Sequence, residues 1–275
     1  MPDLLPLQGF AILAVVSLLA GAVNSFAGGG TILTFPVLAA ILPADPSRLV
    51  TANVTSTIGI WPGAAAASWA YRDERAGQPP WAGWLILPSV LGAIAGTLLL
   101  LVLPHEWFDS LVPWLILLAA ILFAVQPRLA RLSSRPGPPA GGSAAAFSDR
   151  PSPGRLAAAC GLQFLVSIYG GYFGAGIGIL MLAVLGMLGL GDIHRLNGLK
   201  NVLGMVVNGM AAGMFTVGSF AGSHSVSWPH ASVMAAASIL GSLGASHLAR
   251  RLPAPLVRRC VALIGFALAA YYFLR

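Results

Sequence analysis

Two glycine-rich stretches are the places where this chain's backbone could do chemistry. The first is Ala27-Gly28-Gly29-Gly30-Thr31; the second runs from Gly170 to Gly178 as GGYFGAGIG, and each opens a short apolar segment. A helix starting at such a break leaves its first N–H groups without intrahelical partners at the positive end of its dipole, and glycine lets an anion approach that backbone closely. Amide side chains surround both breaks: Asn24 before the first, Asn53 in the segment after it, and Asn201 and Asn208 after the second. Lys200 is the only charged residue that falls within an apolar segment rather than at its end. This combination points to a small anion held by Asn24, Gly28, Gly29, Gly30, Thr31, Asn53, Gly174, Gly176, Lys200 and Asn201. A plainer reading gives most of the 33 glycines to close helix packing. It likewise lets Lys200, six residues past His194 and so about 9 Å along a helix, snorkel to the headgroups.

Other chemistries find no support. The eight acidic residues avoid the middles of the apolar segments, which leaves no buried carboxylate to relay protons. The five histidines are scattered without ligand spacing, and Cys160 and Cys260 each sit alone in apolar surroundings. No nucleophile, metal or cofactor signature emerges, so neither an enzyme nor a bound cofactor is expected.

The elements that position these residues must lie in lipid. The apolar set is 57% of 275 residues and the charged set 8%, whereas charge in a soluble domain runs near a quarter. Runs such as WLILLAAILFAV at 114–125 are apolar on every face, which suits helices and not alternating barrel strands. Ten hydrophobic segments lie near 6–27, 29–42, 49–70, 81–103, 107–127, 155–173, 175–190, 195–218, 228–249 and 254–274. Residues 128–153, rich in Pro, Gly, Ser and Arg, read as a flexible linker. The expected layout is 1–127, the linker 128–153, and 154–275.

The two halves resemble each other. A shift of 147 residues (26 to 173) pairs Phe26 with Phe173, Gly29 with Gly176, Asp45 with Asp192 and Arg48 with Arg195; one inserted residue then pairs Asn53 with Asn201. With an odd number of segments per half, the second enters the membrane from the opposite side, giving two inverted five-segment repeats with short, glycine-interrupted helices. Of 15 basic residues, Lys200 is the one lysine. All the arginines except Arg48 and Arg275 fall on the side carrying the linker, which puts the linker in the cytoplasm and both termini outside. This also accounts for the net charge of +7 without nucleic acid. Trp69, Tyr71, Trp81, Trp84, Trp107 and Trp228 fall where an interfacial aromatic belt would lie.

The stretch AGAVNSFAGGGTILTFPVL at 20–38 with LVTANVTSTIG at 49–59, and the second-half stretch at 169–213 with its GGYFGAGIG core and Lys200-Asn201 pair, resemble the TauE/SafE sulfite exporter family. The resemblance implies an anion transporter, an exporter of sulfite, organosulfonates or related carboxylates, working by alternating access in a bacterial inner membrane. A passive anion channel is the rival reading; a non-transporting scaffold or an intramembrane enzyme fits less well. Thr31 departs from the family's pattern, where the glycine run continues. The implied partners are the small anion and membrane lipid, with the oligomeric state open, a homodimer included.

Overall fold

A computed structural model describes residues 6–26, 28–72, 80–133, 151–187, 193–222, 224–248 and 254–274. These residues form ten α-helices and no strand. The first half holds α1 (Pro6–Phe26), α2 (Thr31–Ile41), α3 (Arg48–Ala70), α4 (Ile86–Val102, entered through a 3-10 turn at Pro80–Leu85) and α5 (His105–Ser133). The second holds α6 (Pro153–Tyr172), α7 (Ile177–Met187), α8 (Ile193–Phe220), α9 (Trp228–Leu248) and α10 (Ala254–Phe273). Helix α5 continues past 127 into the expected linker, reaching Ser133, while residues 134–150 of that linker lie outside the described ones.

Four stretches among the described residues are by themselves long and apolar enough to cross a membrane: Leu7–Ser25, Pro80–Val102, His105–Pro127 and Leu196–Phe220. Helix α3 is as long, at 23 residues, but carries Thr51, Asn53, Thr55, Ser56 and Thr57. All five are buried against other helices, so its polarity faces protein and not lipid. Outward-facing side chains such as Leu7, Leu87, Val217 and Leu263 are well exposed, as a lipid-facing surface requires. Trp69, Trp84 and Trp107 are exposed near helix ends, but Trp81 departs from the expected belt. It is 4% exposed because the 3-10 turn folds it into an apolar cluster with Leu85, Val184 and Leu196.

Helices α2 and α7 have 11 residues each, about 16 Å of rise against a hydrocarbon core of about 30 Å. Gly30 at the head of α2 packs against Ala20, and Ile41 at its end lies beside Gly9. Helix α2 therefore runs back along α1 and ends on the side where α1 began. Each half is a hairpin followed by three crossing helices, an odd number, so the halves insert with opposite sense.

The packing repeats under exchange of the halves. Helix α1 packs on α9 as α6 packs on α4; α3 packs on α9 as α8 packs on α4; α5 packs on α7 as α10 packs on α2; and α3–α8 and α5–α10 pair with their own counterparts. Small residues permit the closest approaches. Gly92 and Gly96 of α4 meet the backbone of α6 at Phe164 and Ile168, and Gly59 and Gly63 of α3 meet Met234 and Ser238 of α9. An aromatic cluster of Phe35, Phe108, Tyr172 and Phe173 fills the centre, with the Phe35 and Phe173 rings 5.3 Å apart, edge to face.

Candidate functional site

The two glycine breaks meet. A Cβ on Gly28 would fall 2.5 Å from the Cα of Gly178, and one on Gly29 would collide with the backbone nitrogen of Gly176. Gly29 and Gly176 are equivalent positions of the repeat, so the pseudo-two-fold axis passes between them. Both have positive φ, +128° and +75°, as do Gly28 and Gly174 at +68° and +78°. This conformation strains any residue with a Cβ. Backbone angle and space together demand glycine at 28 and 29.

A small cleft lies beside this contact, lined by Asn24 and Gly28 from the end of α1, Ala64 of α3, Ile177 and Gly178 from the first turn of α7, and Lys200, Asn201, Gly204, Met205 and Asn208 along α8. Of the residues singled out in the sequence, Asn24, Gly28, Lys200 and Asn201 line it. Gly29 and Gly176 sit behind it in the repeat contact, Gly30 packs on Ala20, and Thr31 is buried at the head of α2. Gly174 carries the turn that precedes α7. Asn208, one of the amides noted after the second break, lines it too; Gly204 follows Lys200 at i+4, on one face of a helix, and that spacing would have disclosed it. Ala64, Ile177 and Met205 carry no such signal.

Asn53 serves the junction. Its Nδ2 donates to the carbonyl of Tyr172 at 2.9 Å, while Asn201 Nδ2 donates to the carbonyl of Ser25 at 3.2 Å. Ser25 and Tyr172 are also equivalent under the shift of 147. Each asparagine thus reaches across to the C-terminal end of the other repeat's broken helix and satisfies a carbonyl that has lost its helical partner. Lys200 Nζ donates to the same Ser25 carbonyl, also at 3.2 Å. On the other strand of the break, Asn24 Oδ1 accepts from the Gly29 N–H at 3.0 Å, so that N–H is already engaged.

The repeat is not symmetric in chemistry. Positions equivalent to Lys200, Gly204 and Asn208 are Ala52, Ser56 and Ile60, all buried. Ser56 Oγ lies 2.7 Å from Thr34 Oγ1 of α2, and Thr57 Oγ1 bonds back to the Asn53 carbonyl at 2.9 Å. Where the second half places Lys200 and Gly204 beside a cleft, the first places Ala52 and a serine bonded to Thr34. The open cleft therefore combines a lysine, three asparagines and the N-terminal turn of α7, a set that can hold a small anion by charge and by hydrogen bonds.

Comparison with known proteins agrees with this architecture. The pattern of the family described as "Sulfite exporter TauE/SafE" matches residues 13–272. A Sinorhizobium sp. protein named "Probable membrane transporter protein ORF9" is 27% identical over 263 residues, covering 94% of this chain and 90% of its own length. A Haemophilus influenzae protein named "Probable membrane transporter protein" is 26% identical over 265 residues, covering 94% and 92%. No solved structure matches the chain. Over nearly its whole length, from α1 into α10, the chain belongs to the TauE/SafE sulfite exporter family and is an all-helical integral membrane transporter, not an enzyme.

Proposed function

We propose that the protein exports small oxyanions, sulfite, organosulfonates or short carboxylates, by alternating access around the paired hairpins α1–α2 and α6–α7. The observation that carries this reading is the convergence of Lys200, Asn24 and Asn201 with the first turn of α7 in one cleft beside the repeat axis. An ammonium and the positive end of a helix dipole both favour negative charge, and both act more strongly away from bulk water. The second support is the asymmetry between halves. One repeat lines the cleft with a cation while its counterpart joins the equivalent helices through the Thr34–Ser56 bond. Exchange of these two arrangements would present the site to the other side of the membrane.

The arginine distribution supports a cytoplasmic linker and external termini in a bacterial inner membrane. The functional test is flux of sulfite, sulfate, thiosulfate, sulfoacetate, taurine and short carboxylates in proteoliposomes of the purified protein. Saturable counterflow of at least one anion is the expected result. Large unitary currents would make it a channel, and no flux of any of them would overturn the reading.

A further inference from the structure

The orientations of three asparagine amides in the cleft define what a bound anion must bring with it. A backbone N–H can only donate and a carbonyl can only accept, so a bond to either fixes which end of a side-chain amide is engaged and which is left over. Asn24 uses its oxygen on the Gly29 N–H, which leaves its NH₂, a donor. Asn201 uses its nitrogen on the Ser25 carbonyl, and Asn208 uses its nitrogen on the Gly204 carbonyl at 2.8 Å. Each of these two is left with its oxygen, an acceptor.

Asn201 and Asn208 are 5% and 8% exposed, and both line the cleft. Neither amide oxygen takes a hydrogen bond from the described residues, and neither is fully buried. The lining thus presents donors from Lys200 and Asn24 and acceptors from Asn201 and Asn208. A fully deprotonated oxyanion matches only the donors. Its remaining oxygens would face two carbonyl dipoles by their negative ends, a repulsion that low polarity strengthens.

We propose that the cleft selects anions that carry their own hydrogen-bond donor, the singly protonated form of an inorganic oxyanion or a hydroxyl-bearing sulfonate or carboxylate, over dianions and over donorless anions of equal size. Asn201 and Asn208 are the specificity-determining residues. The inference rests on the proposed anion transport and narrows its substrate class. It implies that sulfite is carried as hydrogen sulfite, whose O–H is lost when it becomes the dianion.

The test uses pairs of equal charge and size that differ by a hydroxyl: 2-hydroxyethanesulfonate against propane-1-sulfonate, and glycolate against propionate. Each competes with labelled sulfite uptake in proteoliposomes of the full chain at fixed pH. The hydroxylated member of each pair should inhibit with about ten-fold higher apparent affinity, the scale of one hydrogen bond to a buried acceptor. Sulfite flux measured across pH 6 to 8.5 should fall with the hydrogen sulfite fraction, while 2-hydroxyethanesulfonate flux, whose charge is constant, should not. Asn208→Leu should bring the hydroxyl preference towards one, since Asn208 bonds only within its own helix and its loss spares the repeat junction. Equal or reversed affinities within both pairs in the wild-type protein overturn the inference, with no variant needed. Sulfite flux with no hydroxyl preference defeats this inference alone, whereas absence of all anion flux defeats the transport reading beneath it.

Discussion

Asn201 of α8 donates its side-chain amide to the carbonyl of Ser25, at the end of α1 in the other half of the chain, at 3.2 Å. Asn53 makes the equivalent bond in the opposite sense, to Tyr172 at 2.9 Å. The breaks that generate the two short helices leave carbonyls that no helix can satisfy, and each repeat supplies the missing donor for the other.

Removing either amide should therefore first be read in stability. Asn53→Ala orphans the buried Tyr172 carbonyl and should cost about 1–3 kcal/mol, seen as a lowered melting temperature in detergent with sulfite-independent unfolding. Asn201→Ala should cost a similar amount and also weaken anion binding, because only Asn201 lines the cleft. Equal effects of both variants on flux, once corrected for folded protein, would contradict this division of labour.

The glycine contact gives a second contrast. Gly29→Ala places a Cβ against the backbone of Gly176 at a φ of +128°, so both space and conformation oppose it, and little folded protein should reach the membrane. Gly161→Ala in α6 meets nothing within 4 Å and should be neutral or stabilising by about 0.5–1 kcal/mol. Fluorescence-detected size exclusion of the two variants checks the pair.

Much of this was legible in the sequence, for physical reasons. Apolar runs bounded by polar breaks placed α9 and α10 within a residue or so, at 228–249 and 254–274 against Trp228–Leu248 and Ala254–Phe273. Shared Phe, Asp, Arg and Asn spacing disclosed the repeat, since apolar bias alone does not supply such pairs. Residue type could not tell what Asn53 bonds to: an amide buried in lipid is costly wherever it faces, and its partner Tyr172 lies 119 positions away. Met205 and Ala64 were silent for the same reason, being ordinary helix residues that line a cleft only because a break from the other half ends beside them. Trp81 misled because an aromatic at a span end can turn inward as readily as outward.

The proposed anion site places its charge recognition on Lys200, which lines the cleft. Lys200→Met should raise the half-saturating sulfite concentration by about ten- to a hundred-fold, as expected for loss of a charged hydrogen bond. Ala52→Lys, at the buried equivalent position in the first half, should not restore it. Flux kinetics on the single and double variants decide this; unchanged affinity in Lys200→Met would remove the cation from the site.

The loop between α8 and α9 should respond to acid. Its Ser227 N–H donates to Thr55 Oγ1 at 3.1 Å, and its His224 Nε2 lies 2.8 Å from the Phe215 carbonyl, with Nδ1 buried and unpartnered. Burial holds the His224 imidazole below its ordinary value, outweighing the opposing Phe215 bond. The neutral form therefore favours docking. Docking is complete above about pH 6.5 and is lost as the pH falls through the lowered value, because the added proton has no acceptor. Amide hydrogen exchange at 224–227, corrected for intrinsic pH dependence, should quicken below that pH in the wild-type protein and not in His224→Asn.

Net export should follow membrane potential without an obligatory sodium ion or a separately bound proton. None of the eight acidic residues falls in the middle of an apolar segment, and none of those among the described residues lines the cleft, so its described lining holds no carboxylate with which to relay a proton or hold a cation. A monovalent anion leaving an inside-negative cell gains about 2.3 kcal/mol per 100 mV, close to a fifty-fold gradient from potential alone, so efflux needs no second ion. A proton carried on the anion itself, as in hydrogen sulfite, does not alter this count, since the species that crosses is still singly charged. The measurement is efflux from anion-loaded proteoliposomes at clamped potential, with sodium and pH varied independently. Efflux that tracks voltage in sodium-free buffer at symmetric pH is the expected result, and efflux that stops without sodium or an imposed pH gradient would require a coupling site that the cleft, with its lysine and three asparagines, does not offer.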